Sequence, residues 1–85
     1  MTDQRRIRLT ADQRRRIILN AAVSVAERDG LGSITFESVA DECSVPTKWF
    51  SVRKTFGNKD ALMREVVATS DDPHVKEQAV ELGIL

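Results

Sequence analysis

The chain has 85 residues, 41% of them hydrophobic and 31% charged, which suits one small domain and is too apolar for a disordered tail and too often interrupted by charge for a membrane span. Thirteen basic and thirteen acidic residues cancel, and a neutral total taken alone counts against nucleic-acid binding. One cysteine, Cys43, and one histidine, His74, allow no internal disulfide and no zinc ligand set, which fits a reducing, cytoplasmic setting.

Residues 1–9 form a basic leader carrying Arg5, Arg6 and Arg8, with no apolar stretch after it of the kind a secretory signal needs. Thr10-Ala11-Asp12-Gln13 has the form of a capping box, in which the threonine hydroxyl takes an orphan amide hydrogen and the glutamine reaches back to the cap amide. A first helix is therefore expected over about 11–29, with Ile18, Leu19, Ala22, Val25 and Ala26 at helical spacing and Gly30 as its stop. Thr35 is the next cap candidate. It opens a helix of about two turns with Phe36, Val39, Ala40 and Cys43 on one face. Pro46 suits the first turn of a helix, where its missing amide hydrogen costs nothing, so a third helix is expected from near Pro46 to just before Gly57. Asn58 caps a fourth, Lys59 to about Thr69, with Leu62, Met63 and Val66 inward, and Asp72-Pro73 opens a fifth, about 73–82, ended by Gly83. The expectation is an all-α fold, a four- to five-helix bundle of homeodomain-like kind. Its parts are an arm at 1–9, a DNA-binding domain at 10–70 and a C-terminal helix at 71–85.

Two helices joined by a very short turn, the second opening with small polar and basic residues, make a helix-turn-helix. A B-DNA major groove admits one helix, and its exposed start must offer side chains to base edges while the helix before it braces it. Val39, Ala40 and Val45 are the expected brace, and Thr47, Lys48 and Trp49 the exposed start. The distribution of charge adds to this. Residues 1–16 hold six arginines against Asp3 and Asp12, a net +4. Residues 17–43 hold Arg28 against Glu27, Asp29, Glu37, Asp41 and Glu42, a net −4. Residues 44–64 return to +4 with Lys48, Arg53, Lys54, Lys59 and Arg64 against Asp60. Such blocks suit a molecule with a phosphate-facing side and an acidic back, although charges decorating solvated faces would read the same way.

Ile18-Leu19-Asn20-Ala21-Ala22, Gly30, Thr35, Val39-Ala40 and Val45 resemble the N-terminal head of TetR-type transcriptional regulators, as does Phe56-Gly57-Asn58-Lys59-Asp60-Ala61-Leu62, which looks like the block that starts that family's fourth helix. The resemblance covers roughly residues 14–68. Ser44 stands where the family has Gly, Pro46 where it has Ser, and the interval from Val45 to Phe56 is two residues longer than the family's. The resemblance implies that Thr35 and Lys59 meet phosphates, that Thr47 and Lys48 face the groove, and that Arg5, Arg6 and Arg8 track a strand or the minor groove. Each has a plainer reading beside it: a cap for Thr35, a solvated charge for the lysines, a leader without a partner for the arginines. Trp49 reads equally as core or as a surface contact.

Only about fifteen residues follow the fourth helix, too few to enclose a drug-sized pocket, so no small-molecule ligand or cofactor is expected. A homodimer would have to use the fifth helix, with Val75, Ala79, Leu82 and the Ile84-Leu85 end as its seam. The leading expectation is a sequence-preferring binder of double-stranded DNA, a small transcriptional repressor. The alternatives are a protein-interaction or phage or plasmid accessory module anchored by Trp49-Phe50, and a ring-forming DNA-packaging or replication accessory protein. With one histidine, one cysteine, no glycine-rich phosphate loop and no sheltered carboxylate pair, catalysis is not expected.

Overall fold

The structure, a computed structural model, describes residues 9–84. Five helices run in order, α1 (Ala11–Asp29), α2 (Phe36–Glu42), α3 (Trp49–Phe56), α4 (Lys59–Thr69) and α5 (Pro73–Glu81), with a 3-10 turn at Leu31–Ser33 between the first two and no strand among the described residues. The fold is all-α, as expected.

Local hydrogen bonds set most of the helix ends. The Thr10 hydroxyl accepts from the Gln13 amide at 3.1 Å while the Thr10 amide donates to Gln13 Oε1 at 2.9 Å, which completes the capping box. Thr35 makes the same reciprocal arrangement with Ser38. Asn58 Oδ1 accepts from the Ala61 amide and Asp72 Oδ1 from the His74 amide. Each such cap stabilises its helix by about 1 kcal/mol. Gly57, which ends α3, sits at φ +92, a left-handed conformation that glycine adopts without a Cβ penalty.

One hydrophobic core joins all five helices. Ile18, Ala22 and Val25 of α1 meet Val39 of α2, Val52 of α3, Leu62 and Val66 of α4, and Val75 and Ala79 of α5, all buried. Leu31, the first residue of the 3-10 turn, and Ile34, just after it, are fully buried as well. The small side chains of Ala21, Ala22 and Ala26 let the neighbouring helices approach α1 closely. Polar contacts tie the far elements together. Gln78 Oε1 of α5 accepts from the Leu31 amide at 2.7 Å, satisfying an amide that would cost about 1–3 kcal/mol if buried without a partner. Buried Ser70, at the end of α4, donates to Glu27 of α1 at 2.7 Å and accepts from the Asp72 amide. Arg28 bridges Asp29 and Glu42, holding the end of α1 to the end of α2.

Two expectations are corrected here. Helix α3 begins at Trp49, not near Pro46, so the connection from α2 is the six-residue segment Cys43–Lys48 and not a very short turn. A residue before proline is biased away from helical backbone, Val45 lies in a bend, and the Thr47 hydroxyl donates to the Val45 carbonyl at 2.9 Å, a local turn that competes with helix. The proposed dimer seam fails for Val75 and Ala79. Both are 0% exposed within the chain's own core, and Ile84 is buried there too. The apolar stripe of α5 packs against α1, α4 and the 3-10 turn. Leu82 and Val80 remain exposed, and Leu85 lies outside the described residues.

Candidate nucleic-acid interface

Helix α3 is anchored by Val52 and Phe56, one turn apart and both buried. That spacing turns the opposite side of the helix to solvent, and Phe50, Arg53 and Lys54, three and four residues apart, share it. All three are exposed. Arg15 of α1 reinforces the anchor, with its guanidinium 4.6 Å from the centre of the Phe56 ring and an ion pair to Glu65 of α4.

At the leading end, Lys48 occupies the cap position and makes no side-chain capping bond. A cation there is on the unfavourable end of the helix dipole and forgoes the roughly 1 kcal/mol that Ser or Asp would supply. The next two residues form an exposed aromatic pair. Trp49 is 46% and Phe50 56% exposed, with ring centres 5.9 Å apart and planes at 81°. Trp49 is thus partly exposed at the surface and not among the buried core residues. An open hollow of about 310 Å³ separates it from Thr35, Phe36 and Glu37 at the start of α2.

Among the described residues, cations divide into two groups. Arg15, Arg28 and Arg64 are ion-paired with Glu65, with Asp29 and Glu42, and with Asp60, and Lys76 donates to the Val67 carbonyl at the end of α4. Arg14, Arg16, Lys48, Arg53, Lys54 and Lys59 are exposed, and no ion pair holds them among the described residues. An open groove of about 480 Å³ runs between the first turns of α1 and the outer side of α3, lined by Leu9, Ala11, Asp12, Arg14, Arg15, Ser51, Lys54 and Thr55. Arg14 and Lys54 therefore line one concavity, although forty positions separate them in the chain. Sequence reasoning missed Arg14 because nothing local signals that it stands beside α3.

The remaining expected site residues fall as follows. Pro46 and Thr47 lie in the turn before α3. Thr47 is half-buried, with its hydroxyl committed to Val45, so it is not part of a projecting helix start. Val45, expected as a brace, is only half-buried. Thr35 is exposed, with its amide donating to Ser38 Oγ and its hydroxyl accepting from the Ser38 amide. Lys59 is the first residue of α4, beyond the Gly57 turn. Arg5, Arg6 and Arg8 lie outside the described residues. Beneath the turn, burial pushes the Cys43 thiol above its ordinary range, with the Thr47 hydroxyl working the other way. The half-buried thiol packs against the core as a small apolar group. No group of three or more His, Cys, Asp or Glu among the described residues is arranged to hold a metal ion, and none of the helices they form is long and apolar enough to cross a membrane. Comparison with family models, with curated proteins and with solved structures returned no match.

Proposed function

We propose that this chain binds double-stranded DNA, laying the outer side of α3 in the major groove and holding the flanking phosphates with Lys48, Arg53, Lys54 and Arg14. The observation that carries the reading is the sorting of charge. Helix α3 contains no carboxylate, its cations are free of ion pairs among the described residues, and Arg14 joins them from α1. Arg15, Arg28 and Arg64, elsewhere on α1 and α4, are neutralised by neighbours, whereas Arg16 and Lys59 stand outside the cluster without an ion pair among the described residues. A neutral protein with four of its unpaired cations gathered around one helix presents a local positive field to a polyanion. The lysine at the α3 cap supports the same reading, since a residue that breaks a local stability rule is most readily explained by function.

The resemblance of residues 14–68 to the TetR-type head suggests the biological role, a small cytoplasmic transcriptional regulator that represses by occupying an operator. A second reading, a protein-interaction module, draws on the exposed Trp49-Phe50 pair. An anisotropy titration of a labelled mixed-sequence duplex separates the two. DNA binding predicts saturable association at about 50 mM salt, with log affinity falling against log salt at a slope of about −3 or steeper for four phosphate contacts. No association at that salt would overturn it.

A further inference from the structure

Helix α3 meets its ligand with an aromatic pair where hydrogen-bonding readers would be expected. Of the polar side chains near its start, Thr47 is turned back onto Val45 and Ser51 is half-buried. Trp49 and Phe50 stand exposed at the start of the helix, after Lys48; Phe50 shares the outer side with Arg53 and Lys54, and Trp49 faces the hollow toward α2. Their edge-to-face contact at 5.9 Å and 81° fixes both rings relative to each other, so little side-chain freedom is lost when they are covered.

In the major groove only thymine offers an apolar group, its C5 methyl, whereas the other edges there present donors or acceptors. An indole or phenyl ring pressed on such an edge strips it of water and returns no hydrogen bond, which is costly. A ring on a methyl group removes apolar area from both surfaces and is favourable. Glu37, across the hollow from Trp49, makes this end of the helix a poor seat for a phosphate and so directs the rings toward base edges. The cations then take the strands and the aromatic pair takes the bases between them.

We infer that Trp49 and Phe50 are specificity-determining residues that recognise thymine methyl groups in the major groove, so that the chain prefers thymine-containing duplex. The inference rests on the DNA-binding reading above. Two duplexes of the same sequence, one carrying thymine and the other uracil throughout, differ at the base edges by those methyls alone. The protein is expected to bind the thymine duplex about tenfold more tightly, since each methyl covered contributes roughly fourfold. Trp49 is the chain's one tryptophan, so its emission reports directly and should shift to shorter wavelength on the thymine duplex more than on the uracil one. The Trp49→Ala/Phe50→Ala variant should bind both duplexes equally and keep the salt dependence. Both side chains are exposed, and an unchanged helical circular dichroism spectrum confirms the variant's fold. Equal binding of the two duplexes by the unaltered protein would overturn methyl recognition while leaving DNA binding intact, and if the aromatic variant were then weaker on both, stacking or insertion would replace it. Binding to neither duplex would remove the DNA reading itself.

Discussion

Replacing Lys48, Arg53 and Lys54 together by glutamate is expected to lower duplex affinity by at least about 100-fold at about 0.1 M salt, and to flatten the log affinity against log salt slope by roughly 2.7. The reasoning starts from counterion release. Each phosphate neutralised by a fixed cation frees condensed ions, at about 0.9 of a unit of slope per contact, and reversal adds repulsion to the loss. The three side chains are exposed and in no ion pair among the described residues, so the variant should melt within a few degrees of the parent, as surface substitutions away from structural contacts usually do. A binding curve that does not move, measured on a protein whose circular dichroism is unchanged, would place the nucleic-acid contact elsewhere or nowhere. Glutamine at the same positions should give an intermediate loss, because it removes attraction without adding repulsion.

Truncating Leu62 to alanine has the largest effect expected on the fold. Leu62 is 0% exposed and lies in α4, which packs on α1, α3 and α5, so its side chain is covered on every side. Removing a buried leucine loses the transfer free energy of the missing groups and leaves a cavity that a close-packed core closes only in part, together about 2–5 kcal/mol. A chain of this length has a total stability of only about 4–13 kcal/mol, and each kcal/mol moves the midpoint of a domain this small by about 4–8 °C. A fall of at least about 10 °C in thermal midpoint is therefore expected. A fall of only a degree or two would mean that α4 is not packed as described. DNA binding should fail with the fold and not independently of it, which separates this variant from the charge reversal.

The features legible in the sequence are those decided within a few residues. The Thr10-Gln13 box, the Thr35, Asn58 and Asp72 caps and the Gly57 stop depend on hydrogen bonds across two or three positions or on one backbone angle, and each lies where the pattern put it. The burial of Ile18, Val25, Val39, Leu62 and Val66 was legible for the same reason, since helical spacing marks an inward stripe. The start of α3 was less legible. Pro46 fits a first helical turn and a bend equally well, and the Thr47 hydroxyl on Val45 settles the local geometry. What could not be read required knowing what lies across the fold. An apolar stripe on α5 reads the same whether it faces a second chain or its own. Here the Leu31 amide on Gln78, forty-seven positions away, holds it inward. The groove shared by Arg14 and Lys54 is likewise a product of α1 lying beside α3, and no charge count along the chain could bring them together. Trp49 was undecidable for a related reason. It shares the helical stripe of the buried Val52 and Phe56, and it is exposed because it is the first residue of α3, at the end of that stripe.

The central claim, that the leading end and outer side of α3 form the nucleic-acid contact, is tested most directly by titrating unlabelled duplex into isotope-labelled protein and following every backbone amide together with the Trp49 indole. The largest shifts are expected across residues 48–54 and in the first turn of α1 around Arg14, with α5 and the 3-10 turn unmoved. Shifts centred on Val80 and Leu82 of α5, with the Trp49 indole stationary, would contradict the account.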